Sequence, residues 1–230
     1  MSSATHVRLN RSLLATAERR LLIWIAERLP GWLLSDHLSA LGLAAMAGAG
    51  ASFALMPSDP VAGACLVAIC LLLNWFGDSL DGTLARVRNQ LRPCYGYYVD
   101  HVIDLAGTAM LFAGLAASGY MSATIAALFV ASFFLVSAEA YLATHARGVF
   151  KMSFLGVGPT ELRIVLAAGA FALIGSPVVK PFALFEFRLF DLGGMVGVAG
   201  MVITFVITSV SNGRALYLQE TSRSWRGGTP

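Results

Sequence analysis

Long uninterrupted apolar runs separated by short polar segments dominate the chain. A helix that crosses about 30 Å of hydrocarbon needs about 20 such residues. Strands of a membrane barrel would alternate apolar and polar positions, whereas these runs are continuous, so helices are the spanning elements that remain. The pattern predicts an all-α integral membrane protein with six transmembrane helices, at roughly residues 38–57, 61–88, 96–119, 121–145, 159–179 and 190–217.

The segment before the first run, residues 10–34, has a different pattern. Five apolar side chains fall on one arc of a helical wheel, while most of the charged side chains fall elsewhere. Trp24 and Trp32 suit the depth of the lipid headgroups. We expect an N-terminal amphipathic helix in the membrane interface, and a helix that simply packs across the bundle is an equal alternative. The arc consists of Leu14, Leu21, Leu22, Ile25 and Leu29.

Composition and charge agree with a membrane location. The chain of 230 residues is 57% hydrophobic and only 13% charged, unlike a soluble domain. With both termini in the cytoplasm, all of the 16 Lys and Arg residues except Lys180 and Arg188 lie on the cytoplasmic side. The positive-inside rule then favours this topology, and we expect a bacterial inner membrane. We expect no nucleic-acid partner, because the cations are spread over four membrane-flanking segments.

Four acidic residues interrupt the second and third runs. Asp78 and Asp81 are three residues apart and Asp100 and Asp104 are four apart, so each pair shares one helix face. If the chain turns near Leu91, antiparallel packing of the two helices brings all four carboxylates to one depth, near the cytoplasmic surface. Ionised side chains at membrane depth are rare and usually mark a functional site.

Carboxylates that converge in a confined space repel one another unless protons or cations compensate. Two divalent ions such as Mg²⁺ would balance the charge and clamp a phosphate ligand. Gly82 and Ala85 leave the same helix face without bulk, and Arg86 adds a planar cation suited to phosphate oxygens. A cation or proton transporter also gathers buried acids, but it does not require Gly, Ala and Arg at these spacings.

The combined pattern resembles the signature of the CDP-alcohol phosphotransferase family, also called the CDP-alcohol phosphatidyltransferases. Residues 78–86 read Asp-x-x-Asp-Gly-x-x-Ala-Arg, and residues 96–104 read Gly-x-x-x-Asp-x-x-x-Asp, so all eight signature residues are present. The resemblance implies a bundle of six transmembrane helices with an N-terminal interfacial helix, so that residues 1–230 form a single membrane domain. It also implies a homodimer, although glycines such as Gly194 and Gly197 could pack helices within one protomer equally well.

The resemblance also implies roles for the motif residues. Asp78, Asp81 and Asp100 would bind two Mg²⁺ or Mn²⁺ ions, and Asp104 would complete the second metal site and act as general base on the acceptor hydroxyl. Gly82, Ala85 and Arg86 would shape the pocket for the nucleotide and its phosphates.

A second segment similar to the family begins the first span. Asp36, His37, Leu38 and Ser39 would border the nucleotide, with Ser39 where threonine is more usual. By itself this segment is equally well explained as a helix start. A Ser or Thr that often binds the donor before the second glycine is missing, and Arg92 is a candidate replacement.

These expectations define the function that the resemblance implies. A phosphatidyl group would move from CDP-diacylglycerol to a small polar alcohol, with release of CMP. In the alternative, a soluble CDP-ethanolamine or CDP-choline is the donor and diacylglycerol the acceptor, because the Asp100-His101 pair is similar to that branch of the family. A transporter is the alternative from another class.

Polar residues that could line the acceptor cavity are scattered over five spans. Glu139 is the most distinctive, because an acid inside the apolar run 126–143 needs a partner or a wet cavity. Arg163 and Arg214 are also explained as ordinary positive-inside residues. The candidates are Asn74, His101, Glu139, Thr160, Glu161, Arg163, Asn212 and Arg214.

Overall fold

A computed structural model describes residues 13–147, 159–175, 178–179 and 187–227. The side chain of Leu14, residues 10–12 and Lys180 lie outside this described part. Val178–Val179 (β1) pairs antiparallel with Phe187–Arg188 (β2). The helices are α1 (Leu13–Arg28), α2 (Ser35–Leu55), α3 (Pro60–Val87), α4 (Pro93–Ala117), α5 (Ala123–Arg147), α6 (Pro159–Gly175) and α7 (Leu189–Gly227).

Five of these helices are long and apolar enough to cross a membrane: α2, α3, α4, α5 and the Leu189–Thr221 part of α7. The predicted all-α integral membrane fold is confirmed. The predicted fifth span coincides with α6, which has 17 residues. At about 1.5 Å per residue α6 measures about 25 Å, slightly less than the hydrocarbon thickness of about 30 Å. Five of the six predicted spans are therefore matched by helices long enough to cross, and a crossing by α6 stays a prediction.

The boundaries of α3 and α4 follow from local chemistry. Asp59 accepts a hydrogen bond of 3.0 Å from the Ala62 amide and caps α3, and Pro60 occupies its first turn. Asn89 has a positive φ of 55°, the left-handed conformation that ends many helices. Pro93 then begins α4. The chain thus turns over residues 88–92, close to the predicted turn.

Helix α2 packs against both α3 and α4, whereas α3 and α4 make little direct contact within the described residues. Gly77 permits the approach of α3, because a Cβ there would lie 2.5 Å from the Leu38 carbonyl oxygen. Gly114 brings α4 even closer to the backbone of Gly50. The expectation that α3 and α4 pack directly on each other is corrected: the backbone contacts made by glycine place α2 against both helices.

Two apolar clusters stabilise the bundle. The larger one spans α2 to α7, where the Phe112 and Phe129 rings stack at 4.1 Å and the Phe53 ring meets Phe190 edge-on at 5.5 Å. The smaller one joins α1 to α2 and α3 through Leu22, Ala26, Leu38, Leu80 and Leu84. Helix α1 therefore packs on the bundle at the end that carries the acidic residues.

The outer side of α1 and the short segment after it keep the features expected at a membrane surface. Trp24 is 54% exposed and Trp32 is 72% exposed. The two alternatives for this helix are thus compatible: one face packs on the bundle, and the exposed tryptophans suit the headgroup region.

Two glycines of α7 allow close helix packing within the protomer. A Cβ at Gly194 would collide with the Met121 and Ile125 side chains, and a Cβ at Gly197 would lie 2.6 Å from the Phe129 ring. These two glycines therefore bring α7 close to the start of α5, so they provide no support for a dimer.

Candidate active site

The signature residues lie on two helices at one end of the bundle. The last three turns of α3 carry Asp78 and Asp81, and the first half of α4 carries Asp100 and Asp104. Asp104 is within electrostatic range of the other three carboxylates. The structure therefore brings together the four acids that the sequence pattern singled out.

The α4 half of this cluster is compact. One ligand atom each from Asp100, His101 and Asp104 lie within 4.8 Å of one another. The Asp100 side chain is 45% exposed, and its Oδ2 lies 3.4 Å from His101 Nδ1. His101 itself is buried, with its ring 4.1 Å from the Tyr97 ring and stacked at 4.7 Å on Tyr141 of α5. The tyrosines fix the imidazole beside the acids.

The α3 half is tied to the start of α2. Ser39 Oγ donates a hydrogen bond of 2.6 Å to Asp81 Oδ2, and the Gly82 amide donates one of 2.5 Å to Asp81 Oδ1. Ser35 Oγ donates to the Asp81 carbonyl oxygen at 2.8 Å. Ser39, which the sequence placed beside the nucleotide, thus contacts one of the acids directly.

The other three residues of the α2 segment that the family resemblance singled out, Asp36, His37 and Leu38, have different surroundings. Asp36 pairs with Arg92 at an open cleft of about 420 Å³, and this hydrogen bond raises the pKa of the Arg92 guanidinium above its ordinary value. His37 Nδ1 accepts a hydrogen bond from the Leu34 amide and so helps to cap α2. Leu38 is 1% exposed and belongs to the smaller apolar cluster. Within residues 36–39, Asp36 therefore lines the cleft and Ser39 contacts one of the acids.

The small residues of the signature border open space. Among the described residues, a Cβ at Gly82 would meet only the Arg86 guanidinium, at 3.6 Å, and a Cβ at Gly96 would meet nothing within 4 Å. Ala85 is half-buried on the same face. Arg86 is exposed, and its Nε donates a hydrogen bond of 2.9 Å to the Gly82 carbonyl oxygen. Within the part of the chain that the structure describes, a ligand could approach Gly82 by displacing only the Arg86 side chain.

A third helix contributes an arginine whose role the sequence did not reveal. Arg163 NH2 donates a hydrogen bond of 2.6 Å to Asp78 Oδ2, and its Nε donates one of 2.7 Å to Asn74 Oδ1. Asn74 Nδ2 in turn donates to the Gly42 carbonyl oxygen at 3.0 Å. Because α6 is more than 80 residues from Asp78 in sequence, no local spacing could have predicted this pair.

Glu139 on α5 finds a hydrogen-bond partner on α7. Asn212 Nδ2 donates a hydrogen bond of 2.6 Å to Glu139 Oε1, and Arg147 donates to Asn212 Oδ1. This network joins α5 to α7. Arg214 lies exposed on the outer surface of α7, and Thr160 and Glu161 are exposed at the start of α6.

The donor set suits divalent cations. Carboxylate oxygens are the hard ligands that Mg²⁺ and Mn²⁺ prefer. Their mutual repulsion is only partly offset by Arg163, and cations would offset the remainder. The residues present therefore fit a metal site.

These features define an integral membrane enzyme with an acidic, phosphate-compatible site at one end of a helical bundle. The sequence model of the CDP-alcohol phosphatidyltransferases matches residues 32–209. The chain therefore belongs to this family and is a phosphatidyltransferase. The acidic cluster is of the kind with which the family binds divalent metal ions.

Comparison with solved structures finds several similar chains. The chain is similar to the phosphatidylinositol phosphate synthase of Mycobacterium tuberculosis, in a crystal structure with CDP-diacylglycerol bound. The match has a TM-score of 0.62 and 22% sequence identity, and it covers 84% of this chain and 94% of the other. At this identity the likeness establishes the fold alone. No curated protein matches the sequence.

Proposed function

We propose that the protein transfers a phosphatidyl group from CDP-diacylglycerol to a small polar alcohol and releases CMP. The observation that carries the proposal is the convergence of the four acids from α3 and α4 beside a helix face left open by Gly82. Family membership supports the reaction class. The similar structure was determined with CDP-diacylglycerol bound, which supports this donor.

Four carboxylates would hold two Mg²⁺ or Mn²⁺ ions: Asp78, Asp81, Asp100 and Asp104. Bound ions would neutralise the donor diphosphate and the departing CMP. The protein's part is to present the oxygens at fixed positions. Ser39 and the Gly82 amide hold Asp81, and the proximity of Asp100 to Asp104 supports a shared site on α4.

Asp104 would act as the general base. It is half-buried and lies further along α4 than Asp100. Its carboxylate would remove the proton from the acceptor hydroxyl. The oxygen then attacks the phosphorus that carries the diacylglycerol group, the bond from that phosphorus to the CMP oxygen breaks, and the proton leaves Asp104 for solvent.

The nucleotide would lie on the α2 side of the acids. Asp36 and Arg92 form the mouth of the cleft there, and Gly82, Ala85 and Arg86 would contact the nucleotide from α3. His37 and Leu38 would act indirectly, because one caps α2 and the other is buried in the apolar cluster. The lipid tails of the donor would extend into the bilayer.

Orientation and location are proposed from the charge distribution. Arg86, Arg88, Arg92 and Arg147 lie at the end of the bundle that carries the acids, whereas Arg188 lies at the other end, next to Phe190, which contacts Phe53. The positive-inside rule would place the acids at the cytoplasmic face. We propose a single-domain protein of the bacterial inner membrane that assembles as a homodimer.

The experiment that tests the proposal is CMP release by the purified protein with Mg²⁺. One set of reactions offers CDP-diacylglycerol with a pool of polar alcohols, and the other offers CDP-ethanolamine or CDP-choline with diacylglycerol. We expect activity in the first set. Activity only in the second set would reverse the roles of donor and acceptor, and silence in both would overturn the proposal.

A further inference from the structure

Arg163 makes a two-pronged contact with α3. Its Nε and NH2 groups reach Asn74 Oδ1 and Asp78 Oδ2 at 2.7 and 2.6 Å, on residues one helical turn apart. The Arg163 side chain is only 13% exposed, and that of Asp78 is 32% exposed. This contact is therefore shielded from water, unlike an ordinary surface ion pair.

Asn74 gives the contact a rigid base. It is buried, and its amide nitrogen donates to the Gly42 carbonyl oxygen while its amide oxygen accepts from Arg163. Gly77, between Asn74 and Asp78, seats α3 directly on the α2 backbone. One hydrogen-bonded chain thus runs from α2 through α3 to α6 and ends on the Asp78 carboxylate.

We propose that Arg163, supported by Asn74, is a positioning residue for Asp78. It engages Oδ2 and so fixes the orientation in which Asp78 presents its other oxygen to a cation. The inference rests on the proposed metal-binding role of Asp78. It assigns Arg163 a function at the metal site. The sequence analysis had suggested only that Arg163 lines the acceptor cavity or is an ordinary positive-inside residue.

The geometry of arginine is essential to this role. A guanidinium donates from two nitrogens in one fixed plane, so it can bridge Asn74 and Asp78 together. A lysine keeps the charge but has a single flexible ammonium group. Groups that orient metal ligands typically affect metal affinity or activity by about 10-fold to 100-fold when they are replaced.

Arg163→Lys is therefore the informative variant, because it preserves the positive charge and removes the planar pair of donors. Asn74→Ala removes the other arm without changing any charge, and Arg188→Lys is the matched control at the opposite end of the bundle. Three quantities are measured on each purified protein: Mn²⁺ binding by electron paramagnetic resonance without substrate, the Mg²⁺ concentration for half-maximal CMP release, and thermal stability.

We expect Arg163→Lys to weaken Mn²⁺ binding and to raise the Mg²⁺ requirement by about 10-fold or more, with Arg188→Lys unchanged. Asn74→Ala should also weaken Mn²⁺ binding and raise the Mg²⁺ requirement. The double variant should differ little from Arg163→Lys in both quantities, because the two residues act through one hydrogen-bond network. Unchanged Mn²⁺ binding in Arg163→Lys, or a loss confined to thermal stability, would overturn the inference. Mn²⁺ binding decides it even where the wild-type protein releases no CMP.

Discussion

Ser39 Oγ on α2 lies 2.6 Å from Asp81 Oδ2 on α3 and donates a hydrogen bond to it. The contact joins the helix that borders the cleft to one of the proposed metal ligands. Hydrogen bonds to charged groups typically contribute about 1.5–3 kcal/mol. In the proposed site, this hydroxyl would couple the nucleotide side to the metal side.

Replacement of Ser39 tests that coupling. Ser39→Ala removes the donor, so Asp81 loses an anchor, and we expect kcat/KM for CMP release to fall by about 10-fold or more. Ser39→Thr is the matched control, because it keeps the hydroxyl, and it should retain most of the activity. Equal activity of the alanine and threonine variants would show that the hydrogen bond has no part in catalysis.

Asp104→Asn tests the proposed base. The amide keeps the shape of the side chain but cannot accept the acceptor's proton, so we expect CMP release to fall by at least about 100-fold. The thermal unfolding midpoint should stay close to that of the wild type, because only one oxygen is replaced. A variant that releases CMP at the normal rate would remove Asp104 from the mechanism.

Asp78→Asn tests whether the CDP-linked donor binds through the metal ions that Asp78 is proposed to hold. Loss of one ligand charge should weaken Mn²⁺ binding and the binding of the CDP-linked donor together, because the diphosphate would be held through the same ions. Both affinities can be measured by titration of the purified protein. Donor binding that is insensitive to this substitution would argue against the two-metal arrangement.

Gly77→Ala tests the seating of α3 on α2. The added Cβ would lie 2.5 Å from the Leu38 carbonyl oxygen, and relief of such an overlap typically costs about 1–3 kcal/mol. We expect a lower unfolding midpoint and reduced activity, because Asp78 is the next residue. Gly213→Ala on α7 is the control: no described residue lies within 4 Å of its Cβ position, so the stability of this variant should be unchanged or slightly higher.

Local patterns predicted the helices and the pairing of acids on each of them. Continuous apolar runs fix where the spanning helices lie, and a spacing of three or four places Asp78 with Asp81 and Asp100 with Asp104 on common faces. Such features depend only on helix geometry, so one segment of sequence contains all the information they need.

Contacts between distant helices could not be predicted in the same way. The pairing of Asp78 with Arg163, of Glu139 with Asn212, and of Ser39 with Asp81 joins residues 42 to 85 positions apart. The position of α2 against both α3 and α4 depends on close approaches at Gly77 and Gly114, which no helical periodicity reveals. Tertiary packing decides these contacts.

The most direct test of the central claim is CMP release from CDP-diacylglycerol by the purified wild-type protein, with and without Mg²⁺, beside the Asp104→Asn variant. We predict release that requires Mg²⁺ and an added polar alcohol and that is lost in the variant. No CMP from the wild-type protein under any of these conditions, or equal release without divalent ions, would contradict the account.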